Sequence, residues 1–148
     1  MRQILLALFL LVPLFGCSEE ESTGPPSVQE KSFDKEPLNH KIPFVEHYVS
    51  FRRKYLALEY DIAYHDNSSG VPGPADWDIR LLAQVPTGEL TLWQPPKLSP
   101  VKQALPKWVQ TMPGKIPQAG LSEWYLERGL EVGLDRKAGI VAYRSFTQ

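Results

Sequence analysis

Cysteine is almost absent from this chain: among 148 residues Cys17 carries the only thiol. An intrachain disulfide is excluded, and so is a zinc site built on several cysteines. Histidine is nearly as scarce, and His40, His47 and His65 include no pair four residues apart, the spacing that puts two ligands on one helix face. An excess of positive charge is also missing, since 16 Lys and Arg are interspersed with 17 Asp and Glu for a net charge of -1. No basic stripe marks a nucleic-acid surface. The chain has no Gly-x-Ser-x-Gly elbow, so the strand-to-helix nucleophile of one large hydrolase class is not encoded. No cofactor or metal is expected.

One apolar run stands out, at residues 4–15, after Arg2 and before Gly16-Cys17. It is too short to cross a membrane, which takes about 20 apolar residues to span roughly 30 Å of hydrocarbon, and it ends at Ser18-Glu19-Glu20-Glu21. A positive start, an apolar stretch and a small residue before a cut are the parts of a secretory signal. Leu14-Phe15-Gly16-Cys17 resembles the lipobox of bacterial lipoproteins, with Phe15 bulkier than is usual there. The resemblance is confined to the leader. It implies cleavage of residues 1–16, diacylglyceryl transfer to the Cys17 thiol and acylation of the new amino group with palmitate-type chains. At about 0.8 kcal/mol per buried methylene, two or three chains hold a protein on a membrane almost permanently. Ser18 after the cysteine resembles the pattern sorted to the outer membrane. The expected address is therefore the cell envelope, lipid-anchored, with the domain facing the periplasm.

Beyond the leader lie about 130 residues, enough for one modest core. Residues 17–39 are mostly Glu, Ser, Pro, Lys and Gln, with Val28, Phe33 and Leu38 as isolated apolar positions, and read as a disordered tether, a short ordered segment packed on the domain being the alternative. Residues 40–148 then form a single domain. Without a disulfide it must rest on packing, for which four Trp, six Tyr and six Phe supply large apolar area. Fourteen prolines argue against a helical bundle.

A short helix is expected over residues 42–51, with Pro43 in its first turn, and a strand is the competing reading. Leu56, Leu58, Tyr60, Ile62 and Tyr64 alternate with Ala57, Glu59, Asp61, Ala63 and His65, the period of a strand. Turn formers fill residues 66–74, and Trp77, Ile79, Leu81, Ala83 and Val85 then alternate again, so the pair reads as an antiparallel hairpin with a long loop. Thr87 is placed to cap a short helix through Trp93, and residues 101–111 show helical spacing interrupted by Pro106. Beyond Gly120 an extended run puts Trp124, Leu126, Leu130, Val132 and Leu134 on one face, and a turn with positive φ at Gly139 returns the chain. The fold class is α+β: a small, mainly antiparallel sheet of about four strands in two hairpins, with one or two short helices packed on one face.

Among candidate chemical groups, Glu59, Asp61, Asp76, Asp78 and Glu131 are placed to gather near one sheet edge, as a cation or an acid/base pair requires. A solvated strand face explains the same pattern. His65-Asp66 with Ser68 and Ser69 supplies the residue types of a hydrolytic triad, but sequence neighbours rarely take those three positions. Arg52-Arg53-Lys54 suits an anionic surface or a solvated element end. The stretch from Val71 to Arg80 is similar to a Gly-Pro-small-Asp-aromatic lead-in to a strand in small uncharacterised exported bacterial proteins. A rigid turn there feeds Trp77 toward the core, and the loop it belongs to, with Asp66, Asn67, Asp76, Trp77, Asp78 and Arg80, is the candidate binding loop. The expected function is non-enzymatic binding of a protein partner, as an immunity protein or an accessory of an envelope complex. An envelope hydrolase using carboxylates and a small-ligand carrier are the alternatives.

Overall fold

The alternation from Ala57 to His65 does form a strand, and it pairs in antiparallel register with Asp76–Gln84, Ala57 opposite Gln84 and His65 opposite Asp76. The computed structural model describes residues 25–33, 35–67 and 75–148. Its strands are β1 (Val28–Lys31), β2 (Ala57–His65), β3 (Asp76–Gln84), β4 (Glu123–Glu127), β5 (Leu130–Asp135) and β6 (Ile140–Phe146). The helices are α1 (Leu38–Val45) and α2 (Lys107–Gln110), with a 3-10 helix over Thr87–Leu92. All strands join one sheet in the order β1-β2-β3-β6-β5-β4, every neighbouring pair antiparallel. The α+β class holds, but the sheet has six strands instead of about four.

The two extra strands arise for different reasons. β1 lies within residues 17–39, the stretch expected to be tether, and pairs with the outer edge of β2. An edge strand is hydrogen-bonded on one side only and tolerates polar side chains on both faces. Only Val28 is apolar in it, so no alternation announces it. Two serines fasten its ends: Ser27 Oγ accepts from the Asp66 amide at 2.9 Å, and Ser32 Oγ accepts from the Tyr60 amide at 2.9 Å. The folded unit thus begins well before residue 40. The other addition comes from splitting the run beyond Gly120, where Gly129, at φ 76°, turns β4 back onto β5. Trp124 and Val132 consequently point to opposite faces, because Trp124 opposes Gly133 while Tyr125 opposes Val132. Gly139 has φ 68°, the positive value expected of it.

Parity along the strands divides the interior into two cores. Leu58, Tyr60, Ile62, Ile79, Leu81, Ala83, Val132, Leu134 and Val141 face one side, where Val45 of α1, Val49, Tyr55, Leu90 and Trp93 cover them. Leu82, Trp124, Ile140 and Ala142 face the other, covered by Trp108 and Val109 of α2 with Met112 and Leu121. The helices therefore lie on opposite faces, not on one. A sheet apolar on both faces cannot leave either one bare. On the first side aromatic rings pack edge to face, Phe51 against Trp93 at 5.1 Å and against Tyr143 at 5.3 Å. Burial raises the Tyr55 hydroxyl to a pKa of about 12.

Prolines set the helix limits. α1 starts at Leu38 behind Pro37, so Pro43 falls inside it instead of in its first turn. The hydrogen bond that Pro43 cannot donate would have gone to the carbonyl of Asn39, an exposed residue, so the loss falls on the solvent side of the helix. The 3-10 helix has Pro86 at its N-cap and no side-chain cap, so Thr87 does not cap it. Pro106 confines α2 to a single turn, and the residues before it stay extended, Val101 exchanging both backbone hydrogen bonds with Trp124 at 2.7 and 3.0 Å.

Trp124 is fully buried because Gly133 opposite it offers no side chain; a Cβ there would stand 2.6 Å from the indole. Gly133→Ala should cost about 1–3 kcal/mol in urea unfolding, since an overpacked core must shift backbone or rotamer. Gly88→Ala, with nothing within 4 Å of the new methyl, should change stability by less than about 0.5 kcal/mol. Equal effects of the two substitutions would refute the packing account.

Candidate functional site

One row of directly opposed residues crosses the α2 face of the sheet: Lys31 of β1, Asp61 of β2, Arg80 of β3, Arg144 of β6 and Glu131 of β5. Lys31 pairs with Asp61 at 3.2 Å and Arg80 Nη1 with the same Asp61 oxygen at 3.3 Å. The next neighbours, Arg80 and Arg144, carry like charge, which is destabilising for a directly opposed pair. Asp78, one pleat away on β3, resolves the conflict. Arg80 Nε and Nη2 donate to its two oxygens at 3.2 and 2.5 Å, and Arg144 Nε and Nη2 donate to the same two at 2.9 and 3.0 Å. One carboxylate is thus shared by two guanidinium forks, the bidentate geometry for which arginine is suited. Burial opposes ionisation of Asp78, but hydrogen bonds and charge from Arg144 and Arg80 outweigh it and hold its pKa below the ordinary carboxylate range. The hydrogen bond to Asp78 likewise raises the pKa of Arg144, whose guanidinium also lies 4.3 Å from the centre of the Phe146 ring. At the far end, Glu131 accepts from Trp108 Nε1 at 2.5 Å and stands 3.8 Å from Arg144 Nη1.

A second ionic group is more deeply placed. Glu59 accepts from Lys41 Nζ at 2.7 Å and from Ser32 Oγ at 2.6 Å, with both ionic side chains nearly sealed from solvent. Gly114 lies against this carboxylate, and a Cβ there would stand 2.5 Å from it. The group fastens β1, α1 and the loop after α2 to one edge of β2.

The five carboxylates singled out from the sequence do share one sheet face, but they do not converge on an ion. Glu59, Asp61, Asp78 and Glu131 are each paired with a lysine or arginine, Arg144 serving both Asp78 and Glu131, and among the described residues no group of three or more His, Cys, Asp or Glu is placed to hold a metal. Glu59 and Asp61 are buried, so this face is not simply solvated. Arg52 pairs with Glu46 and Lys54 with Glu89, while Arg53 lies over the rings of Phe51 and Trp93, which fixes the whole basic run to its own domain. His47 Nδ1 donates to the Pro43 carbonyl at 2.7 Å. Cys17, Ser68, Ser69 and the Val71 to Pro74 turn lie outside the described residues.

Of the candidate binding loop, the described residues at its two ends lie at one end of the sheet. Asp76, Trp77 and Asp78 line a cleft of about 590 Å³ together with His65, Gln29 and Thr147. Asn67 Nδ2 donates to Asp76 at 3.4 Å, and Asp66 is tied by its amide to Ser27. Trp77 projects to the other face and is only partly buried; its Nε1 donates to Ser145 Oγ at 3.1 Å. There it forms, with Tyr48, Tyr64 and Tyr143, an aromatic groove of about 410 Å³. Arg80 belongs elsewhere, to a cleft shared with Arg144, Lys107, Trp108 and Thr111. Lys107, Trp108 and Arg144 were not among the residues that the sequence pattern singles out, although Arg144 lies on the strand parity that places Ala142 inside. No protein-family model, curated protein or solved structure matches the chain.

The two ionic groups can be tested separately. Lys41→Met strands a buried Glu59 and should cost about 3–5 kcal/mol in chemical unfolding, whereas Lys41→Met with Glu59→Met should recover most of the loss. For Asp78, a lowered folded-state pKa means a contribution that is complete above the unfolded carboxylate value near ~4 and lost as pH falls below it. Urea midpoints measured from pH 7 to about pH 2.5 should therefore fall steeply on the acid side in the wild type and less steeply in Asp78→Asn, which starts lower at pH 7.

Proposed function

We propose that this chain is an envelope lipoprotein, anchored through Cys17 to the outer membrane and facing the periplasm, whose domain binds a protein partner without catalysing a reaction, as an immunity protein or an accessory of an envelope complex. The observation that carries the reading is the sheet end around Trp77. A mixed polar cleft and an aromatic groove meet there on either side of one indole, beside the connection between β2 and β3. Tyrosine and tryptophan are the side chains most often found as anchors of protein interfaces. Loops at the end of a rigid sheet are where recognition is usually placed.

Chemistry at this end is disfavoured by Asp78. A carboxylate offers about four lone-pair sites, and four N–H donors from Arg80 and Arg144 occupy them, leaving none for a general base or nucleophile. Among the described residues Asp76 in the same cleft has no second free carboxylate there with which to form an acid/base pair.

Metabolic labelling with an alkynyl fatty acid should mark the wild-type chain and not Cys17→Ser; a label that survives the substitution removes the anchor from the proposal. For binding, cross-linking in intact envelopes followed by capture of the chain should enrich a partner over an unrelated lipoprotein. Asp76→Lys, a charge reversal at an exposed position, should reduce that enrichment at least fivefold with an unchanged melting temperature. Identical capture by both forms would remove this end of the sheet as the binding surface.

A further inference from the structure

We infer that the cleft between β3, β6 and α2 is a binding site for a phosphate group. Its walls are Arg80, Lys107, Trp108, Thr111 and Arg144, around a volume of about 410 Å³. Three of these five side chains are cationic, and they come from three different elements. The strand register sets Arg80 and Arg144 side by side, and Asp78 holds the Nε and Nη2 edge of each, so both guanidinium planes are fixed before any ligand arrives. Such fixed donors avoid the ordering cost that flexible side chains incur on binding.

The remaining contacts leave donors free. Arg80 Nη1 donates to Asp61 at a long 3.3 Å, an oxygen also shared with Lys31. Arg144 Nη1 stands 3.8 Å from Glu131, beyond hydrogen-bond reach. Lys107 is exposed and has no ion pair among the described residues. Thr111 Oγ1 donates its hydrogen to the Trp108 carbonyl and Trp108 Nε1 is taken by Glu131, so the free donors are those of Arg80, Arg144 and Lys107. With Asp78 and Glu131 set against Arg80, Arg144 and Lys107, one positive charge remains, and Asp61 is balanced by Lys31. Donors on three walls suit a tetrahedral oxyanion, whose oxygens diverge. A planar carboxylate is matched by a single fork, and both forks are already filled by Asp78. A soluble phosphate ester and a lipid headgroup present the same acceptor chemistry to these donors.

The test uses the full chain carrying Cys17→Ser, with inorganic phosphate titrated at constant ionic strength and the Trp108 indole N–H resonance as reporter. A saturable shift with a dissociation constant in the millimolar range or tighter is expected, weakened at least fivefold in Lys107→Met and unaltered in Lys137→Met, which lies outside the cleft. In a parallel arm the same proteins are sedimented with phosphatidylglycerol vesicles. Loss of sedimentation in Lys107→Met but not in Lys137→Met identifies a lipid headgroup as the source, whereas phosphate binding without sedimentation identifies a soluble phosphate. The inference is overturned if chloride at equal ionic strength reproduces the shift, or if Lys107→Met binds as the wild type does in both arms.

Discussion

Two guanidinium groups stand opposite each other on adjacent strands in the middle of the sheet, and Asp78 between them is what makes that register tolerable. Arg80 and Arg144 would repel if left alone, yet β3 and β6 must meet at this register for Leu82 to lie beside Ala142 and Leu81 beside Tyr143. A slip of one residue would exchange the two faces of β6 and put Arg144 into the aromatic core. The shared carboxylate thus secures the one strand pairing that joins the hairpin of β2 and β3 to the strands β4 to β6. Loss of its charge would weaken the junction between the two halves of the protein.

The same pairing explains why a small domain has two cores and a polar field beside them. On the α1 face, apolar and aromatic side chains run nearly the whole length of the strands. On the α2 face they fill only the end where Trp124 lies over Gly133, because α2 is one turn long and covers no more. The row of charges begins where that cover stops. Its partners are close enough in register to neutralise one another, so the surface is ionic without being strongly acidic or basic. The Glu59 pair is the exception. It is sealed under the loop at Gly114, where an ion pair contributes little net stability but fixes which segments meet.

These divisions leave two neighbouring recesses with a different chemistry. Around Trp77 the recesses are aromatic and mixed polar, suited to a protein surface. Between α2 and the two arginines the recess is cationic and small, suited to a single anionic group. The proposed binding of a partner and the proposed phosphate site therefore occupy separate surfaces, linked by Asp78, which lines the first cleft and orients the donors of the second.

β2, β3 and the turn at Gly139 were legible in the sequence because their alternation and turn chemistry are local. So was the scarcity of thiol and imidazole ligands, whereas the expected gathering of Glu59, Asp61, Asp76, Asp78 and Glu131 near one sheet edge is not found, since they share a face but spread across β2, β3 and β5. β1 was not legible, since an edge strand with one apolar residue carries no period of its own and is recruited by hydrogen bonds to β2. Nor was the reversal at Gly129, because Trp124 and Val132 read as one face until the turn between them is known. Turn formers mark the candidate loop, but Lys107 and Trp108 come to Arg144 only through the packing of α2 on the sheet. Alternation along a single strand determines which residues share a face. Which strands lie side by side, which cation meets which carboxylate, and where a cleft opens were decided by the tertiary structure alone, because those contacts join residues that are far apart in the chain.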